Sequence, residues 1–265
     1  MCCRPPVGPA DHVPHPRWVR PDPDPTALLC ASVVAARLRD ALGTNLSACY
    51  LHGSAVLGGF DPGISDLDLL VVSRDPLSDA EADAIVREVE HLELPAKGLE
   101  MSVLTQSEAL SPDLERPHYQ LHVAVAGAGT VRRVDGRGGG GDRDLILHLA
   151  VTRASGHTLV GPAPGEILAA LPERIVRQAS IDEVVWARDC GDPIYLVLTA
   201  ARARAFARTG RLVSKVEAAE ADAAVPVVRA ALTHQRGGRA TVDPVDARRY
   251  ADEVEASLHP HRPGR

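Results

Sequence analysis

An α/β domain followed by an α-helical bundle is the fold class this sequence predicts, on three observations. Between residues 25 and 105, helical periodicity alternates with short apolar strands, the order expected of an α/β layer. The run GRGGGG at 136–141 then interrupts the chain with a flexible break. Beyond it one helical pattern follows another, with Pro172, Pro193, Pro226 and Pro244 where helices should start. The expected organisation is a disordered tail over 1–24, the α/β domain over 25–141 and a helical domain over 142–265.

The tail is rich in proline and lacks the apolar core of a signal peptide. Residues 25–42 repeat apolar side chains at helical spacing (Leu28, Leu29, Val33, Val34, Leu38), and Gly43 supplies the stop. Residues 47–51 read as a strand ending at His52-Gly53-Ser54, followed by a turn containing Gly58, Gly59, Pro62 and Gly63. The segment SDLDLLVVS, 65–73, alternates at its start and then becomes fully apolar, as a buried strand does. A helix over 78–92 and a third strand over 99–105 complete the pattern, while 107–141 gives weak signals. Helices are expected over about 142–154, 173–190, 193–208, 214–224, 226–234 and 244–258.

Composition narrows the function. A net charge of −6 disfavours nucleic acid as a partner and suits a small cationic substrate. No apolar run approaches the ~18 residues of a membrane span, so no membrane association is expected. The five cysteines form no C-x-x-C pair, which argues against a zinc or redox motif and fits a reducing cytoplasm. A monomer is the expected state.

Chemistry concentrates between Gly53 and Glu100. Strand residues i and i+2 share a face, so Asp66 and Asp68 project together while Leu67, Leu69 and Val71 point into the core. Two carboxylates this close repel unless a cation lies between them, and magnesium suits such a pair together with phosphate oxygens. Glu100 stands on the polar side of the third strand, where Leu99, Met101 and Val103 alternate away from it. If that strand lies beside 65–73, Glu100 joins Asp66 and Asp68 as a third carboxylate for metal-assisted phosphoryl transfer. Gly53 and Ser54 open a helical turn whose backbone N–H groups and hydroxyl can hold a phosphate. A lone D-x-D at a strand end is usually solvated surface. It is the run of strand, Gly-Ser, glycine turn, Ser-Asp-x-Asp, apolar strand and Glu that carries the reading.

The segment LHGSAVLGGFDPGISDLDLLVV resembles the signature of the polymerase-β-like nucleotidyltransferases. More narrowly, the chain resembles the aminoglycoside (3'')(9) adenylyltransferases over roughly residues 25–258. GLEMSVLT is similar to the family's glutamate-bearing strand, DRDLILHLAVTRASGHTLVGP to its helix-to-LVGP segment, and LVLTAARARAFARTGRLVSKVEAA to its leucine-rich helix and the lysine segment after it. The resemblance implies transfer of AMP from ATP, with Mg2+, to a hydroxyl of a streptomycin- or spectinomycin-type drug. By position, Gly53, Ser54 and Ser65 would hold phosphate, Asp66 and Asp68 the metal, and Glu100 would be the general base as well as a metal carboxylate. Asp144, Arg202 and Lys215 would contact ATP, and Asp192, Trp186 and Asp189 the substrate.

Each assignment has a plainer alternative: a helix cap for Asp192 and Asp144, a basic face for Arg202, a solvated lysine for Lys215, a core position for Trp186. His52 is expected to pack beside the strand end. The chain also departs from the family. HYQLHVAVAG carries no tryptophan after the third strand, the glycine turn is one residue longer, and a tyrosine near ATP is replaced, with His234 or Gln235 nearest. Transfer to another small molecule or to a protein, and a nucleotide-binding regulator without catalysis, are the alternative functions.

Overall fold

The computed structural model describes residues 21–90, 92, 94–126 and 130–258. Most of the expected 1–24 tail, residues 1–20, lies outside the described residues. At its end, Asp24 accepts the backbone N–H groups of Thr26 and Ala27 at 2.9 and 3.0 Å and so caps helix α1 (Pro25–Leu42).

Among the described residues six strands form one sheet, β1 (Leu46–Leu51), β2 (Asp66–Ser73), β3 (Gly98–Thr105), β4 (Leu121–Ala126), β5 (Thr130–Asp135) and β6 (His157–Val160), in the order β5-β4-β3-β2-β1-β6. Only β2 and β3 run parallel; the other neighbours are antiparallel. A parallel pair needs a crossover, supplied by α3 (Asp79–Val89), whose start is fixed by a capping box between Ser78 and Glu81.

The pleat of β2 decides what each face of the sheet does. Leu67, Leu69 and Val71 pack with α1 and α3 in one core. Asp66 and Asp68 face the other way at the start of the strand, and further along that second face Leu70 and Val72 join Leu145 and Leu149 of α5 (Leu145–Ser155). The polar face is therefore open only at its N-terminal end.

The other half is built around α8 (Pro193–Thr209), which buries Leu196, Val197, Leu198, Ala200, Ala201 and Ala203. It is surrounded by α7 (Glu173–Asp189), α9 (Lys215–Ala221), α10 (Pro226–Gln235) and α11 (Pro244–Leu258). The small residues on α8 let these helices approach closely. Among the described residues no helix is long and apolar enough to cross a membrane. Cys30, Cys49 and Cys190 are free thiols.

Two expectations need correction. The weak region 107–141 holds β4 and β5; β5 is an edge strand with little buried surface, so its apolar alternation is faint. The chain beyond Gly141 is not wholly helical, because β6 pairs with β1 and closes the sheet. Four residues are too few to show a period, and their pairing is a tertiary event. Two short helices, α4 (Gln106–Leu110) and α6 (Pro164–Ile167), also went unread.

Candidate active site

A cleft with a volume of about 510 Å³ lies between the open end of the sheet and the helical bundle. The sheet side contributes Gly53, Ser54, Ser65, Asp66, Asp68 and Glu100, and the helical side contributes Asp144, Trp186, Asp192, Arg202 and Lys215. Of the expected site residues only Asp189 does not line the cleft; it is exposed at the end of α7.

Register brings the carboxylates together. In the parallel β2–β3 pair, Asp68 stands opposite Glu100 and Asp66 opposite Gly98. Gly98 leaves room for this: a Cβ there would meet Val125 O at 2.5 Å and Asp66 Oδ1 at 2.9 Å. Burial, then the charges of Glu100 and Asp66, push the Asp68 carboxyl up to about 8, against the pull of Lys215 and Arg202. Asp66 is also raised, chiefly by burial, although Lys97 opposes the shift. The pair is thus costly to ionise in the bare protein, which is the electrostatic signature of a site short of positive charge. Among the described residues, no group of three or more His, Cys, Asp and Glu side chains is arranged to hold a metal. Asp66 and Asp68 suit magnesium as a two-carboxylate site completed by phosphate oxygens, and Glu100 stands directly opposite Asp68 in the strand register.

Gly53 is required twice over. It caps α2 (Ser54–Leu57) at φ +65°, and a Cβ on it would sit 1.8 Å from Asp68 Oδ2. Gly53→Ala is expected to displace Asp68 and to destabilise the protein by about 1–3 kcal/mol, the usual cost of a strained backbone position. Thermal melts and turnover check this against Gly138→Ala, where a Cβ meets nothing within 4 Å. Ser65 Oγ accepts the Asp61 N–H at 3.1 Å, which ties the glycine turn to the start of β2.

Behind Glu100, His122 of β4 places Nε2 3.9 Å from Glu100 Oε1, while its Nδ1 meets Ser102 Oγ at 3.1 Å. His52 is buried, 5.2 Å between ring centroids from His148, and burial with that neighbour holds its imidazole well below the usual range. It packs as a neutral ring, as expected.

The helical side adds two cations, Lys215 and Arg202, to Lys97 of the sheet side. Burial, then the adjacent Arg202, bring the Lys215 ammonium down to about 8, so an incoming anion would be welcome there. Arg202 Nη2 pairs with Glu183 at 2.6 Å. Asp192 does cap α8, its Oδ1 accepting the N–H groups of Ile194 and Tyr195 at 2.9 and 3.0 Å, and it also borders the cleft. Trp186 is 55% exposed and meets Tyr195 edge-on at 5.9 Å, so it is no core residue.

Sequence reasoning missed Lys97, His148, Glu183 and Tyr195, which also line the cleft. Glu183 had a usable signal, since it stands three residues before Trp186 and so shares its helix face. Lys97 and His148 had none, because only the strand register and the seating of α5 bring them in.

Comparison with known proteins agrees with this geometry. The family model described as nucleotidyltransferase domain matches residues 35–118, and that described as aminoglycoside adenylyltransferase, C-terminal domain, matches residues 166–256. These are the two sides of the cleft, in the order the resemblance implies. The chain belongs to the aminoglycoside adenylyltransferase family. It is a nucleotidyltransferase. Among relatives, it is 28% identical over 192 residues to a spectinomycin 9-adenylyltransferase of Staphylococcus aureus (strain N315), covering 69% of this chain and 73% of that protein. It is 27% identical over 210 residues to an aminoglycoside (3'') (9) adenylyltransferase of Escherichia coli, covering 71% and 75%. Its fold matches that of a spectinomycin adenyltransferase from Enterococcus faecialis, crystallised with ATP and spectinomycin, with a TM-score of 0.69 over 87% of this chain and 98% of that one, at 21% identity.

Proposed function

We propose that this protein transfers AMP from ATP to a hydroxyl of an aminoglycoside or aminocyclitol antibiotic, of the streptomycin or spectinomycin kind, and releases pyrophosphate. The observation that carries the proposal is the cleft itself, which sets Asp66, Asp68 and Glu100 on one wall against Arg202 and Lys215 on the other. Support for the acceptor comes from the relatives, whose names give spectinomycin and aminoglycosides as substrates.

In this reading ATP lies between the two halves, and the helical domain closes over it. Ser54, Ser65, Arg202 and Lys215 hold the triphosphate, with Asp144 contacting the nucleotide from the start of α5. Asp66 and Asp68 would hold Mg2+, which when bound offsets triphosphate charge and polarises the phosphoryl oxygens. Glu100 takes the proton of the acceptor hydroxyl as its oxygen attacks the α-phosphorus. The bond to the pyrophosphate oxygen breaks, and pyrophosphate leaves with the electron pair. The protein contributes positioning and fixed charge rather than covalent chemistry. Asp192 offers a carboxylate to a substrate ammonium, and the exposed Trp186 offers a flat apolar surface at the rim.

Incubation of the protein with Mg2+, ATP and each drug, followed by mass spectrometry, tests the proposal: one drug gains the mass of AMP and pyrophosphate accumulates. If neither drug is modified, the acceptor assignment fails, and pyrophosphate release with other small molecules or proteins becomes the next screen. Trp186→Ala is expected to slow modification of the long, sugar-bearing streptomycin more than that of compact spectinomycin. Equal effects on the two would remove Trp186 from the acceptor site.

A further inference from the structure

The proposed mechanism leaves unassigned two cleft residues that make its most closely knit polar network. Glu183 stands midway along α7 and Tyr195 on the first turn of α8. The Glu183 side chain is only 12% exposed, yet both of its oxygens lie 2.6 Å from Arg202 Nη2. Tyr195 donates its hydroxyl hydrogen to the same carboxylate at 3.3 Å. The ring of Tyr195 lies beneath Lys215, whose Nζ is 3.6 Å from the ring centroid.

Three features of this network point one way. A nearly buried carboxylate is costly unless paired, and Glu183 has Arg202 as its partner. Burial pulls the Glu183 carboxyl up, but Arg202 and Lys215 outweigh it and hold the group below its usual range, so it stays anionic. Among the described residues, Glu183 engages the guanidinium through Nη2 alone. Because that group is a rigid planar fork, fixing one nitrogen orients the donors on Nε and Nη1 as well. Finally, an ammonium over an aromatic face is held without using any of its N–H donors in a hydrogen bond. Two cations share one anion, and positive charge remains for a ligand.

We propose that Glu183 and Tyr195 are positioning residues for the two phosphate-binding cations, Glu183 fixing the Arg202 guanidinium by one arm and Tyr195 seating the Lys215 ammonium. Both cations then meet the triphosphate already oriented, and ATP binding does not have to order two long side chains. The inference rests on the reading of the cleft as an ATP site. The opposite role, in which Glu183 competes with phosphate for Arg202, predicts tighter nucleotide binding when the carboxylate is removed.

Calorimetric titration of the full chain with Mg2+ and α,β-methylene-ATP, together with steady-state kinetics, tests it. Glu183→Gln is expected to weaken analogue binding about tenfold, in line with the loss of one charge-assisted hydrogen bond. The KM for ATP rises in parallel, and the KM for the acceptor stays put. Tyr195→Phe, which keeps the ring, loses less than Tyr195→Ala. If wild-type protein fails to bind the analogue, the ATP reading itself falls. If wild type binds and Glu183→Gln binds as well or better, the positioning role is overturned. A lowered melting temperature with unchanged affinity in Glu183→Gln overturns it too, by making the pair purely structural. Should Glu183→Gln not fold, the comparison of Tyr195→Phe with Tyr195→Ala decides alone, and equal losses in those two overturn the seating of Lys215.

Discussion

Asp68→Asn is expected to abolish nucleotidyl transfer and yet to make the ligand-free protein more heat-stable at pH 8. The loss of activity follows from removing half of a two-carboxylate magnesium site. Metal stabilisation of developing charge contributes several kcal/mol, which corresponds to a fall in turnover of about 10³-fold. The gain in stability follows from proton linkage. In the folded protein the Asp68 carboxyl is raised to about 8 from an ordinary value of 3.8. The folded state therefore holds a proton that the unfolded state has lost, and stability falls as pH rises between those two values. Asparagine removes the slope, so the variant and wild type should differ little near pH 4 and diverge towards pH 8. Millimolar Mg2+ with ATP should raise the wild-type melting temperature more than the variant's, which keeps the triphosphate contacts and loses the metal. A variant that turns over normally, or that loses stability at pH 8, would contradict the site as described.

Glu100→Gln is expected to separate chemistry from binding. Glutamine keeps the shape of the side chain and its place opposite Asp68 in the β2–β3 register, but it cannot accept the acceptor's proton. Turnover should drop ~10²–10⁴-fold, the range of general-base contributions. Binding of Mg2+ and α,β-methylene-ATP should survive, because the proposed nucleotide contacts lie elsewhere. The kinetic signature is a lowered kcat with nearly constant KM for ATP, as expected when an interaction made only in the transition state is lost. An equal collapse of nucleotide affinity would instead make Glu100 part of the metal site.

The first of these variants was legible in the sequence because its physics is local. Alternation along one strand places Asp66 and Asp68 on one face whatever the rest of the chain does, and a Gly-Ser step after a strand marks a turn. The helical half was legible for the same reason, through period and proline punctuation. Glu100 was half legible: its own strand showed the polar side, but its neighbour had to be assumed.

Tertiary structure alone decided the rest. The pairing of β6 with β1, the entry of Lys97 and His148 into the cleft, and the exclusion of Asp189 from it each depend on how distant segments seat against one another. The Glu183–Arg202 pair spans two helices that share a sequence period but no sequence signal for their rotation about each other. Residue type and period fix which face of an element is polar. Packing at long sequence separation fixes which polar faces meet, because the hydrophobic cores that set those rotations belong to no single element.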